Sequence, residues 1–171
     1  DSDFKTANNL QDVVLGEQKD RKYYYVNQGD VTLVDGVATQ GFTNTAMRLE
    51  DEDAKDADGN QLYVQEWDDD VDNGEGEEPG KMVDTSEKLI TRGLKHTMKA
   101  QIKSQANSAL APTDWMIIRL AEREVAIPDA TVTYRAAVIT EYGRLKTAIT
   151  GAADVDALQA VMQAQNWPDA V

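Results

Sequence analysis

The chain contains no cysteine, which excludes disulfides, thiolate metal sites and thiol nucleophiles. It contains one histidine, His96, so neither a histidine-built zinc site nor a Ser-His-Asp triad gains support. Aromatic residues are 6% of the sequence, which leaves the core to Val, Ile, Leu, Met and Ala. No apolar run approaches the roughly 20 residues needed to cross a bilayer, and the run Trp115–Ile118 is stopped by Arg119. No glycine loop could cradle a phosphate: Gly74-Glu75-Gly76 sets an acid where the anion would sit. The first residues, Asp1-Ser2-Asp3-Phe4-Lys5, lack the basic and then apolar layout of a secretory signal. They also lack an initiator methionine, as expected of a trimmed or processed chain or a piece of a longer one. What is present, 41% hydrophobic and 28% charged residues over 171 positions, suits one ordinary globular domain or two small ones.

Acid is the one thing in excess. The formal net charge is -14, and Asp51–Gly80 alone carries thirteen acids against one base, Lys55. That segment accounts for -12, so the rest of the chain is close to neutral. It would repel a duplex, whose affinity comes from Lys and Arg, and nucleic acid is not among the expected partners. Two readings remain: a cation or electrostatic docking segment, and a solvated loop held open by self-repulsion. Asp56-x-Asp58-Gly59 resembles the middle of a calcium-binding EF-hand loop. Placing Gly59 at the sixth position puts Ala54 first and Gln65 twelfth, where strong oxygen ligands are required. The same test on Gly74 puts Gly80 twelfth. No metal or cofactor is expected, and Asp58-Gly59-Asn60 is better read as a turn.

The pattern divides into two halves. Residues Asn8–Asp12 fit a short helix or a loop. Lys22–Asn27, Val31–Val34, Val37–Thr39, Phe42–Leu49 and Gln61–Trp67 are rich in strand formers. Gln28-Gly29-Asp30 is expected to turn the chain, and Asp35-Gly36 suits a two-residue hairpin. Asp68–Gly80 has one apolar residue in thirteen and reads as a mobile loop. Beyond it Ile90, Leu94, Met98, Ile102, Ala106 and Leu110 recur every four residues, the spacing of a helix face. Asp84 or Thr85 is the expected N-cap, Gly93 weakens the helix by about 1 kcal/mol, and Pro112 ends it. A short helix Asp114–Glu124, capped by Thr113, would bury Trp115 and Ile118. A third helix would run from about Asp129 or Thr131 to Thr150, burying Val138, Tyr142, Leu145 and Ile149 and exposing Glu141, Arg144 and Lys146, with Gly151 as its stop. Asp154 would cap a fourth with Val155, Leu158, Val161 and Met162. The expected fold is α+β: a small antiparallel β-rich domain over 1–67, an acidic flexible linker over 68–84, and a helical bundle of about four helices over 85–171.

Candidate interaction residues follow from charge and aromaticity. Lys88, Arg92, Lys95, Lys99 and Lys103 have the i+3/i+4 spacing of one helix face. Such a face is either solvated or set against an acidic surface, the nearest being Asp68–Glu78. His96 lies within this basic stretch, with Glu87 as its one nearby carboxylate and too far round to orient it, so no catalytic role is assigned. Trp115 and Trp167 are expected to be packing anchors more than ligand platforms.

One stretch has a wider likeness. Leu110-Ala111-Pro112-Thr113-Asp114-Trp115, then Ile118-Arg119, Glu122, Ile127-Pro128 and Tyr134-Arg135-Ala136-Ala137-Val138 resembles the C-terminal part of tailed-bacteriophage tail-fibre assembly and tail-associated proteins. Ala153–Pro168 is similar to endings found there, so the likeness covers about residues 109–168. It implies a scaffold in which Thr113 caps, Trp115 anchors, Pro128 breaks a helix, Tyr134 packs and Arg135 reaches a carbonyl or acid. The expected function is then a phage virion structural protein of the tail (fibre, adaptor or baseplate-associated), not an enzyme. Its partners would be other tail or fibre proteins and copies of itself, with no membrane. The alternative is an assembly chaperone acting in the host cytoplasm and absent from the virion.

Overall fold

The computed structural model describes Lys5, residues 11–71 and residues 80–170. In chain order the elements are β1 (Val14–Leu15), β2 (Tyr24–Val34), β3 (Val37–Ala46), β4 (Glu52–Asp53), β5 (Tyr63–Asp68), β6 (Lys81–Lys88), β7 (Ile90–Thr91), α1 (Leu94–Arg123), α2 (Asp129–Gly151) and α3 (Val155–Gln163). The fold is α+β, with small, mainly antiparallel sheets and three helices among the described residues, not four. None of these helices is long and apolar enough to cross a membrane. Two compact units result, one of Asp1–Met47 with Ala152–Ala164, the other of Arg48–Gly151 with Gln165–Val171.

In the first unit β2 and β3 form a long antiparallel hairpin, with β1 parallel to β3. Asp35 and Gly36 turn it with φ of 50° and 79°, the left-handed pair that matches strand twist. Gln28-Gly29-Asp30 is not a turn but an irregularity inside β2. The reason is Gln40, a buried side chain that donates to the Gly29 and Gly41 carbonyls and accepts from the Gln28 side-chain Nε2. The bulge's loose carbonyls are satisfied without reversing the chain. Helix α3 starts on Asp154, whose carboxylate accepts from the Ala157 amide at 2.7 Å, and it buries Val155, Leu158 and Met162. Asp156 on its first turn takes bonds from the Tyr24 hydroxyl and from Lys19, whose ammonium also lies 4.4 Å from the Tyr24 ring centre. Those bonds hold the Asp156 carboxyl below its ordinary range, the Tyr24 bond contributing most.

In the second unit β5 and β6 pair with Asp68 opposite Lys81. Strand therefore enters the expected linker 68–84 from both sides, and most of the acidic loop, residues 72–79, lies outside the described residues, as does Asn8–Asp12 except for its last two positions. The turn at Asp58-Gly59 is present. The Asp56 carboxylate accepts from the Asp58 and Asn60 amides and the Asn60 side chain, so it serves its own loop.

The first helix begins at Leu94, well after the expected cap at Asp84 or Thr85, because Lys81–Lys88 are strand. Asp84 and Thr85 cap nothing. The free amides of Leu94 and Lys95 donate to the Arg48 and Leu49 carbonyls at 2.9 and 3.0 Å, so backbone does the work of a side-chain cap. The four-residue stripe is real from that point: Leu94, Met98, Ile102 and Ala106 are buried, facing Tyr134, Val138, Leu145 and Ile149 of the antiparallel neighbour α2. Glu141 was expected at the surface and is buried, bonded by Arg144 and by the Asn166 amide. That last bond brings the tail back, and Trp167 packs against the cluster of Ala106, Tyr134 and Val138.

Candidate docking surface

The basic residues do not form one helix face. Lys88 is on β6, Arg92 lies between β7 and α1, and only Lys95, Lys99 and Lys103 are helical. Three of them meet acids at or just before the start of the acidic segment, and most of Asp68–Glu78 lies outside the described residues. Lys88 pairs with Asp53, Arg92 with Asp51 at 2.8 Å, and Lys95 with Glu50. The first two are largely exposed pairs, screened by solvent, and contribute little to stability. Their effect is to set the entry of α1 against residues 48–53. Lys95 differs, because its side chain is 10% exposed and it also donates to the Thr150 carbonyl at 3.0 Å. A cation at the C-terminal end of α2 satisfies carbonyls that the helix leaves open. Replacing Lys95 by Met is expected to lower stability by about 1–2 kcal/mol in a denaturant titration. Lys99 and Lys103 have no ion-pair partner among the described residues.

His96 is exposed on α1 beside a hollow of about 260 Å³ lined by Glu50, Asp51, Lys95 and Lys99. Two carboxylates from some 45 positions upstream thus approach it, which local spacing around Glu87 does not reveal. No hydrogen bond joins either to the imidazole among the described residues. Asp51 is engaged elsewhere, accepting from the Gly93 amide and from Arg92, and these bonds hold its carboxyl below the ordinary range. Arg144 does the same for Glu141, against the opposing effect of burial. Both carboxyls are depressed in the folded chain. Their contribution is complete above the unfolded values of about 4 and is lost as pH falls through the lower folded values. Melting temperature should therefore be flat near neutrality and fall below about pH 4.5. The fall should be shallower in Glu141→Gln, as thermal melts across pH would read.

Pro112 does not end the first helix; it lies inside one of 30 residues. A proline lacks the amide that would bond four residues back, and its ring pushes the preceding turn open. Here the two carbonyls that follow Ser108, the one the missing amide would have met, take side-chain donors from α2. The Tyr134 hydroxyl donates to the Ala109 carbonyl at 3.0 Å, and Arg135 donates to the Leu110 carbonyl at 3.1 Å. Arg135 also reaches the Thr113 hydroxyl and, at 2.9 Å, Asp114. Thr113 is consequently not an N-cap: its hydroxyl donates back to the Leu110 carbonyl. Tyr134 and Arg135 are thus internal fasteners, and they hold α1 on course past the proline.

What α1 carries beyond that point is uncovered. Thr113 is its last buried residue, and none from Asp114 to Ala130 is buried. Trp115 is 50% exposed and Ile118 58%, so the expectation that they pack inward is overturned. Ile117, Leu120 and Val125 are exposed as well. Four consecutive apolar residues, Trp115–Ile118, step about 100° each around a helix and so occupy every side of it. No single face could hide them, which is the signal that local periodicity misses. Arg119 lies over the Trp115 ring, 4.8 Å from its centre, and shields one face. A second apolar group, Val31, Leu33, Val34 and Val37, is exposed at the end of the β2–β3 hairpin in the other unit. No group of three or more His, Asp or Glu side chains among the described residues is placed to hold a metal ion.

No family model matches the chain, and neither a curated protein nor a solved structure does.

Proposed function

We propose that this chain is a structural protein of a bacteriophage tail, a fibre, adaptor or baseplate-associated component, and that it works by docking onto another tail protein through the end of α1. The observation that carries this reading is the apolar run Trp115–Ile118 near the end of α1, of which Trp115, Ile117 and Ile118 are exposed, as is Leu120 beside them. A helical turn that is apolar on all sides belongs in an interior, and here that interior is a groove on the partner. Covering Trp115 and Ile118 would contribute about 1.5–3 kcal/mol each. The lock at Pro112 suits the role, because it presents this end from a fixed base. The assignment to a tail rests on the likeness over residues 109–168. Several of the residues that carry it, namely Leu110, Thr113, Asp114, Tyr134 and Arg135, form that lock. The shared element is then a mount for the docking helix more than a reaction centre, and the chain is read as a non-enzyme located in the virion.

The uncovered hairpin end points the same way, since Val31, Leu33, Val34 and Val37 leave apolar surface for a partner to cover. Copies of the chain are accordingly expected among its partners.

Ile118→Asp tests the docking element. Because the site is exposed, the isolated variant should keep its stability to within about 0.5 kcal/mol. Mass spectrometry of purified particles should find the unaltered chain at structural copy number and the variant depleted at least tenfold. A variant incorporated normally would rule out this segment, and absence of the unaltered chain from particles would favour the chaperone reading.

A further inference from the structure

The outward side of α2 carries a second pattern, unrelated to its core face. Val132, Ala136, Ile139 and Gly143 are spaced four, three and four, the interval of a helix–helix seam. All four are exposed, Val132 at 51% and Ile139 at 57%. Continuing the same interval outward reaches Asp129 at one end and Lys146 at the other, both exposed and neither in an ion pair among the described residues. Gly143 stands mid-helix, where glycine disfavours the helix. A Cβ built there meets nothing within 4 Å, so nothing in the chain's own packing calls for its smallness.

We propose that this seam is a two-fold contact with a second copy of the chain, the two α2 helices running antiparallel. In that pairing each residue faces the one whose number completes a constant sum. Val132 faces Gly143, Ala136 faces Ile139, and Asp129 faces Lys146. Each large side chain then meets a small one, and each end joins opposite charges, so the surface is complementary to itself as an isologous interface must be. A parallel pairing sets Asp129 on Asp129, Lys146 on Lys146 and Gly143 on Gly143, which gives two repulsions and a void. The flanks add no like charge: Thr133, Thr140 and Thr147 line one side, and Arg135 on the other is occupied by the Leu110 carbonyl and Asp114. The mid-helix glycine then has a reason, because close approach of two backbones needs the space.

The inference rests on α2 alone. A chain that fails to dimerise leaves docking through α1 untouched, and a chain that dimerises can still fail to enter particles. Absence of native cysteine makes the test clean. Asp129→Cys and Lys146→Cys are prepared as separate full-length proteins and oxidised alone and mixed. The mixture should give a disulfide-linked dimer and neither protein alone should, since like positions lie about 25 Å apart along the paired helices. Like-with-like linkage of either protein would overturn the antiparallel register. Sedimentation from about 1 to about 100 μM should show a monomer–dimer equilibrium in the unaltered chain. Ile139→Glu, whose fold is checked by circular dichroism, should weaken it about 30-fold or more. Asp129→Lys and Lys146→Asp should each weaken it about tenfold, and the two together should restore it. A monomer throughout that range would overturn the proposal.

Discussion

Replacing Arg135 by alanine should lower the stability of the helical unit by about 2–3 kcal/mol, a fall of roughly 10 °C in melting temperature. The ion pair with Asp114 is the smaller part. Asp114 is 58% exposed on its side chain, and a pair open to solvent contributes little. The larger part is the carbonyl of Leu110, two residues before the proline, which accepts from Arg135 at 3.1 Å in a part-buried site. Removing a charged donor from a part-buried acceptor costs more than the mean hydrogen bond. Arg135→Lys should recover part of the loss, because the bonds to Leu110, Thr113 and Asp114 all come from one guanidinium nitrogen, Nη1, and an ammonium on a shorter stem replaces it only where it reaches. Tyr134→Phe, which leaves the Ala109 carbonyl without its donor, should cost about 1 kcal/mol. The two residues bond adjacent carbonyls of one helical turn, so their effects should not add. Denaturant titration of the two single variants and the double variant checks this. A loss under 0.5 kcal/mol for Arg135→Ala would mean that water satisfies the Leu110 carbonyl as well as α2 does.

Gly93→Ala should cost about 2–4 kcal/mol, opposite in sign to what helix propensity alone predicts. In a helix interior this exchange gains about 1 kcal/mol, and the sequence reading treats Gly93 as a weak point for that reason. In the structure Gly93 precedes the first helical residue, and an added Cβ would fall on the Leu49 and Glu50 carbonyl oxygens. Relieving that overlap moves the strand of chain that caps α1 at Leu94 and Lys95 and breaks the Gly93–Asp51 bond. Equilibrium unfolding of Gly93→Ala gives the sign directly. A stabilised variant would show that residues 48–53 yield easily and do not position the helix.

These two sites mark the boundary of what a single sequence discloses. Alternation and turn chemistry located the β2–β3 hairpin, since Asp35-Gly36 needs only its own two residues to adopt the required backbone. Asp154 capped its helix for the same reason. The stripe of Leu94, Met98, Ile102 and Ala106 was legible because a helix repeats its exposure every turn. The helix start was not, because its caps are carbonyls some 45 positions away. Pro112 misled for a related reason: the donors that let the helix continue sit on α2, 25 positions downstream. Of the candidate residues, Lys88, Arg92, Lys95, Tyr134 and Arg135 are bonded within the chain, while Trp115 and Arg119 stand on the uncovered end of α1. Hydropathy marks Trp115 and Ile118 as residues that seek burial. It does not say whether the cover comes from the same chain or from another.

That question is answered most directly by cross-linking mass spectrometry on purified tail particles, combined with hydrogen exchange over residues 114–125. The docking account predicts the chain at structural copy number, with this segment cross-linked to another tail protein and its amides exchanging at least tenfold more slowly than in the isolated chain. A chain present at that copy number whose segment exchanges equally fast in both states would contradict it.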